Sequence, residues 1–242
     1  MTVTTEITFT SDIGVDLVSS MGTDASVVAA ARVSVIGADA ARYEGADAAE
    51  HRGLINYLME HRHGSAFEHA SATFRVHAPI FVFREWHRHR IGWSYNEASG
   101  RYSQLEPIFH IPGVDRPLQN TGTSARPMMS LGSIQQYEAQ IVRMENAYVS
   151  AYEVYQQALD DGIAKEVARE VLPVGIYSTM YATANMRSIM AFLSLRVHDR
   201  DATFVSYPQY EIEQAALKIE EIAESLWPIT MAAFRKNGRV GP

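Results

Sequence analysis

Between Arg88 and Tyr102 the chain reads Arg-His-Arg-Ile-Gly-Trp-Ser-Tyr-Asn-Glu-Ala-Ser-Gly-Arg-Tyr, so three arginines, a histidine, a glutamate and two serines crowd into fifteen residues. A guanidinium is a planar fork of donors that matches phosphate oxygens in pairs and keeps its charge at neutral pH. Repeated arginines with no lysine among them therefore point to geometric recognition of phosphate. On a helix Arg88 and Arg90 diverge by about 200°, so both reach one ligand only if it is large or the helix ends between them. Gly92 supplies such an end, and a dinucleotide would supply the size. Ser94, Asn96, Glu97, Ser99 and Gly100 add short polar side chains and a glycine that lets backbone approach a ligand closely.

Other chemistries lack their residues. There is no Gly-x-Gly-x-x-Gly after a strand and no Gly-x-x-x-x-Gly-Lys-Ser/Thr, so side chains must do the phosphate binding. Ser99 sits in no Gly-x-Ser-x-Gly elbow and has no evident base, which gives it a hydrogen-bonding role rather than a nucleophilic one. Eight of the nine histidines fall between His51 and His110, but His61/His63 and His87/His89 are two apart, whereas a helical metal pair needs three or four. The absence of cysteine excludes disulfides, thiolate metal sites and a cysteine nucleophile. Arg169 and Arg196, each closing an apolar helical segment, read by themselves as cations at a helix C-terminus.

Composition agrees with a local site in an ordinary globule. The 242 residues are 47% apolar and 20% charged, enough for a full core. A net charge of −7 and a pI of about 5.7 disfavour broad binding to nucleic acid or anionic membrane, which need a positive field. Eighteen arginines against three lysines fit either phosphate handling or a GC-rich genome. The Met-Thr-Val-Thr-Thr-Glu-Ile start lacks a basic and an apolar region, and no stretch approaches the roughly 18 apolar residues of a membrane span, so a cytoplasmic protein is expected.

The elements that must position the arginine stretch follow from periodicity. Residues 7–10 and 15–17 flank a turn at 11–14 and predict a hairpin, after which Thr23 or Asp24 caps a helix to about Val35. The small polar stretch 37–47 reads as a loop; Leu54, Tyr57, Leu58 and His61 then mark a helix stopped by Gly64. Residues 71–78 alternate Ala72, Phe74, Val76 and Ala78 against Thr73, Arg75 and His77, as a half-buried strand does. Pro79 suits the first turn of a helix running to about His89. Residues 112–132 are a low-structure segment, either a disordered loop or a substrate lid. Ile134, Tyr137, Ile141, Met144, Tyr148, Tyr152 and Tyr155 predict a long amphipathic helix over 134–159 whose tyrosines serve packing. A helix over 164–172, a strand over 176–184, a helix capped by Asn185 and running to Leu195, and helices over 209–226 and 228–236 complete the chain. With no repeat or linker, residues 1–242 are expected to form one α+β domain, a central sheet flanked by helices.

Taken together, Arg88-His89-Arg90, Ser94-Tyr95-Asn96-Glu97-x-Ser99-Gly100-Arg101-Tyr102, Phe67-Glu68-His69, Glu166-Val167-Ala168-Arg169 and Asn185-x-Arg187-Ser188 closely resemble the flavin-dependent thymidylate synthases, from about Gly22 to Phe234. The resemblance implies a homotetramer of α+β subunits that binds FAD at subunit contacts and methylates dUMP to dTMP. Methylenetetrahydrofolate would supply the carbon, and NADPH would reduce the flavin that supplies the hydride. The missing cysteine fits, because the unrelated thymidylate synthases attack uracil with a thiolate and this family requires none. Residue by residue, the resemblance assigns Arg88, His89, Arg90 and Glu97 to FAD, with Asn185, Arg187 and the Ser65 of a neighbouring subunit. It assigns Glu85, Trp86, His87 and Arg88, then Glu97, Ala98, Ser99, Gly100 and Arg101, together with Arg169, to the dUMP site. Arg196 matches the arginine that stabilises an ionised uracil N3, a fixed cation beside a developing anion. Three positions depart from the family pattern: eight residues rather than seven separate Arg90 from Ser99, Glu85 stands where glutamine is common, and Ala191 where asparagine is expected. The loop after Arg196 is also longer than usual. The competing readings are a non-catalytic nucleotide- or RNA-binding module built on the Arg88–Arg101 stretch and a histidine-rich metal hydrolase.

Overall fold

The computed structural model describes residues 6–44, 47–124 and 126–242, with the backbone alone at residue 48. The reading of the first five residues as free of an export signal lies outside the described residues, as do positions 45, 46 and 125 of the two predicted loops. In chain order the elements are β1 (Thr8–Thr10), β2 (Gly14–Met21), α1 (Asp24–Ile36), α2 (Arg52–Glu60), β3 (Ser71–Pro79), α3 (Ile80–Trp86), β4 (Trp93–Glu97) and β5 (Ile108–His110). They continue as β6 (Gln119–Asn120), β7 (Met129–Ser130), α4 (Ile134–Asp160), α5 (Lys165–Ala168), β8 (Tyr177–Asn185), α6 (Met186–Arg196), α7 (Tyr210–Leu226) and α8 (Pro228–Lys236). The fold is α+β, with a four-stranded sheet in the order β2-β3-β8-β4. Among the described residues no helix is long and apolar enough to cross a membrane.

The chain falls into two compact units, each discontinuous in sequence: the chain up to Gly14 with His77–His87 and Glu97–Met180, and Val15–Val76 with Arg88–Asn96 and Tyr181–Pro242. Strands β3 and β8 contribute residues to both. The alternation of β3 is as the sequence predicts, with Ala72, Phe74, Val76 and Ala78 buried.

In the first unit the tyrosine stripe of α4 forms the core. Ser133 caps the helix through a reciprocal pair with Gln136. Phe109 stacks on Tyr148 with ring centroids 4.8 Å apart, and Tyr152 and Tyr155 complete an apolar cluster with Ala168 and Ile176. The tyrosine hydroxyls do not stay idle in this cluster: Tyr152 donates to the Leu105 carbonyl at 3.2 Å, and the Leu105 N–H donates to Tyr155 at 3.2 Å. One stripe thereby fixes the backbone just beyond the arginine stretch.

In the second unit Thr23 caps α1 with a capping box. Asp24, 5% exposed, accepts from the Ile229 N–H, the Thr230 N–H and the Thr230 hydroxyl at 2.9, 2.9 and 2.6 Å. Trp227 donates from its indole to the Gly22 carbonyl at 3.1 Å, so both ends of this unit are tied at one place. Arg239 adds a buried two-point pair with Glu220 at 2.7 and 2.9 Å.

Several expectations are corrected. Residues 7–10 and 15–17 do not form a hairpin: β1 pairs in parallel with β5, and Tyr177 donates to the Asp12 carbonyl between the two strands. Residues 37–43 form a 3₁₀ helix rather than a loop, because Ala40 is buried and the guanidiniums of Arg32 and Arg42 lie over the Tyr43 ring at 5.7 and 5.1 Å. The helix α2 ends at Glu60 with His61 as its cap, and the chain turns away at Arg62, with a positive φ of 56°, before it reaches Gly64. Pro79 ends β3 and caps α3 instead of occupying its first turn, and α3 stops at Trp86. His87 caps it, its N–H donating to the Phe83 carbonyl at 2.8 Å, and beyond the helix the His89 carbonyl accepts the Tyr95 hydroxyl at 2.6 Å. The segment 93–97 is a strand, and 119–120 pair with 129–130 inside the supposed loop. The helix expected over 164–172 is shorter, passing into 3₁₀ turns at Arg169–Val171.

Replacing Asp24 by alanine strands three buried donors at once. We expect Asp24→Ala to lower the unfolding free energy by about 3 kcal/mol, read from urea denaturation; a change below about 0.5 kcal/mol would show that the carboxylate is dispensable.

Candidate active site

In the second unit a cavity of about 710 Å³ opens at the N-terminus of α6. Asn185 starts that helix by accepting from the Ser188 N–H at 2.8 Å, and Met186 N–H donates to the Ala70 carbonyl at 2.8 Å. Asn185, Arg187, Ser188 and Ala191 line the cavity from the helix side, facing Glu68 and Gly92. Arg187 donates from Nε to the Pro242 carbonyl at 2.7 Å and from Nη1 to Glu68 at 2.6 Å. Gly92 has a φ of +70°, and a Cβ there would run into the Ser188 hydroxyl. The start of the stretch between Arg90 and Ser99 is thus held against the α6 cap by a backbone that needs glycine.

Beside it, the half-buried His89 packs edge-on against Phe192 at 4.8 Å, and its Nε2 accepts the Arg196 Nε–H at 3.0 Å. Burial, with the Arg196 charge as the second cause, lowers the His89 pKa from 6.5 to about 4. Tyr95, which stacks on Trp93 at 5.9 Å, has its phenol pushed upward by burial.

In the first unit a smaller cavity of about 320 Å³ is lined by Arg84, Glu97, Ala98, Gly100, Arg169 and Ser178, among others. Ala98 N–H donates to the Thr179 carbonyl at 2.8 Å, and Tyr102 N–H turns back to the Ser99 carbonyl at 3.0 Å. Gly100 is buried where a Cβ would come within 3.1 Å of both Arg169 and Leu105. Arg101 pairs with Glu166 at 2.8 Å, with both side chains about half exposed. Glu166 itself lines the cavity, so two arginines, Arg84 and Arg169, and three carboxylates, Glu97, Glu166 and Glu170, meet there. Ser178, 5% exposed, has a hydroxyl with no hydrogen-bond partner among the described residues.

The residues singled out in sequence divide accordingly. Glu97, Ala98, Gly100 and Arg169 line the smaller cavity and Arg101 borders it through Glu166; Asn185 and Arg187 line the larger one. Ser99 is half-buried and supplies the turn. Arg88 and Arg90 are exposed, and Ser65 is exposed on a 3₁₀ turn over Gly64–His69 that also carries Glu68. Trp86 is fully buried core, His87 approaches the Met180 sulfur at 3.3 Å, and neither they nor the half-buried Glu85 line either cavity. Arg196 meets His89 rather than the residues of the smaller cavity. Sequence reasoning missed Arg84, Glu170 and Ser178, and the tail Arg239–Pro242 that walls the larger cavity. Arg84 lay four residues before Arg88 in plain view; nothing in the tail's composition signals a wall.

The depressed His89 pKa fixes a sign. As pH falls from 6.5 towards about 4 the unfolded chain takes up a proton that the folded His89 refuses, so stability falls through that window. We expect His89→Phe to flatten this slope relative to the unmodified protein in urea midpoints measured across it; parallel curves would refute the assignment.

Residues 16–229 match the family described as Thymidylate synthase complementing protein. The flavin-dependent thymidylate synthase of Streptomyces coelicolor is 52% identical over 237 residues, covering 98% of this chain and 96% of that protein. The UMP/dUMP methylase PolB from Streptomyces cacaoi, solved with 5-Br UMP, superposes with a TM-score of 0.89 at 46% identity, over 98% of this chain and 99% of its own. Solved with 5-Br dUMP, it gives a TM-score of 0.91 at 47% identity, over 98% and 100%. With family motifs on both cavities and similarity along nearly the whole length, this chain belongs to the flavin-dependent thymidylate synthase family and is an enzyme of that type.

Proposed function

We propose that this chain catalyses the reductive methylation of dUMP to dTMP with FAD, methylenetetrahydrofolate as carbon donor and NADPH as reductant. The observation that carries the reading is the division of one stretch: residues 88–101 give Gly92 to the larger cavity and Glu97, Ala98 and Gly100 to the smaller. The relatives named for flavin dependence and the solved methylase that holds bromo-UMP and bromo-dUMP support it.

The residues fit both groups. At the larger cavity the capped N-terminus of the 11-residue α6, Arg187 in its first turn and the bare backbone at Gly92 form a donor set suited to the phosphates of FAD. His89, Arg88 and Arg90, with Ser65 of a neighbouring subunit, join that set in a homotetramer. When bound, the flavin supplies the hydride. At the smaller cavity Arg101 and Arg169 bind the nucleotide phosphate, with Gly100 admitting it to the backbone, and the Ser178 hydroxyl, which has no partner among the described residues, is a further donor. Glu97 and Ala98 hold the nucleotide at the end of β4, whereas Trp86 and His87, at the end of α3, line neither cavity and do not touch substrate. Arg196 stabilises negative charge on the uracil at N3, which enriches the ring carbon to be methylated. No thiol participates, since the chain has none.

Purified protein should hold FAD and form dTMP from dUMP, NADPH and methylenetetrahydrofolate; protein that stays inactive after FAD reconstitution would sink the reading. Arg196→Ala should retain flavin by its absorbance while turnover falls about a hundredfold, and unchanged turnover would remove the activating role.

A further inference from the structure

We propose that His89 is a positioning residue for Arg196: its Nε2 accepts the Arg196 Nε–H and so sets the plane in which that guanidinium meets the uracil. The inference rests on the reading of Arg196 given above and adds to it the group that aims the charge.

Arg196 Nε can only donate, so at 3.0 Å His89 Nε2 must be the unprotonated nitrogen, and the ring proton belongs on Nδ1. A guanidinium is rigid and planar. Holding Nε, the atom nearest the flexible stem, therefore fixes the direction in which the outer nitrogens point. The acceptor is itself immobilised from two sides. Its ring meets Phe192 at 4.8 Å and 64°, and Phe192 stands four residues before Arg196, one turn back along α6. Its carbonyl takes the Tyr95 hydroxyl at 2.6 Å, and Tyr95 is stacked on Trp93. The buried Trp93 meets Phe192 in turn at 5.5 Å, so three ring contacts and the Tyr95 hydrogen bond close a circuit through the histidine. Such a frame is more than packing requires of a half-exposed histidine. Because burial keeps the imidazole neutral down to about pH 4, the acceptor is present throughout the neutral range. His89 thereby acts through Arg196, whatever its ring also offers to the flavin.

The test uses the FAD-loaded enzyme and four variants: His89→Leu, His89→Gln, Arg196→Ala and the double His89→Leu/Arg196→Ala. His89→Leu, assayed at saturating FAD so that any weakening of flavin binding drops out, should lower kcat about tenfold or more. His89→Gln should restore most of the loss, because its amide oxygen can accept in place of Nε2. The double variant should be no slower than Arg196→Ala. Independently of turnover, ¹⁵N spectra of the histidine-labelled, unmodified protein at neutral pH should show His89 as the neutral Nδ1–H tautomer. An additive loss in the double variant, a Gln variant as poor as Leu, or an Nε2–H tautomer would overturn the positioning role while leaving Arg196 active in its own right. Full turnover by Arg196→Ala would instead overturn the activating role and the positioning role together. Should His89→Leu fail to fold, His89→Gln and the tautomer decide the matter.

Discussion

The Asn185 side chain, by accepting the Ser188 N–H, decides where α6 begins, and most of the larger cavity follows from that choice. Starting there, the helix places Arg187 and Ser188 in its first turn at the cavity, Ala191 one turn later, and Phe192 and Arg196 along the face that His89 touches. The Met186 N–H to Ala70 carbonyl bond ties that start to the end of the 3₁₀ turn that carries Ser65 and Glu68. Shift the cap by one residue and each of these side chains rotates by about 100°. A helix N-cap, ordinarily worth about a kcal/mol, here sets the geometry of a charged site.

The first unit depends on a different device. Tyr152 and Tyr155 bury their rings and still bond the Leu105 backbone on both its polar groups. Leu105 in turn lies against Gly100, next to Arg169. The long helix thus reaches the smaller cavity through hydroxyls rather than through a lining residue of its own. Its amphipathic stripe is core and positioning element at once.

Much of this was legible in sequence where one physical signal acted alone. Thr23 before α1 and Asn185 before α6 mark helix starts by side-chain chemistry, and the 3.6 period of α4 marks the long helix. Strand β4 is hidden because its residues carry the motif: Ser94, Asn96 and Glu97 signal ligand contact, which masks the alternation of Trp93, Tyr95 and Glu97 along one strand. The false hairpin arose because local turn signals at 11–14 say nothing about partners; β1 finds its own nearly a hundred residues away in β5. In the site, the motif residues Gly92, Glu97, Ala98, Gly100, Arg169, Asn185 and Arg187 surround the two cavities, whereas Trp86 turned out to be buried among apolar neighbours. The pairing of Arg196 with His89 was out of reach, since two residues 107 positions apart carry no mutual mark in a single chain.

The anchoring of Asp24 to Ile229 and Thr230 joins residues 205 and 206 positions apart in the chain, and the indole of Trp227 bonds Gly22 in the same place. A chain emerging from the ribosome makes α1 early, yet the donors that satisfy Asp24 follow more than two hundred residues later. The second unit is therefore completed only after that whole stretch has been synthesised, and until then it exposes an acid and an apolar helix face awaiting closure. The segment that forms the first unit, already emerged by Met180, is spared that delay.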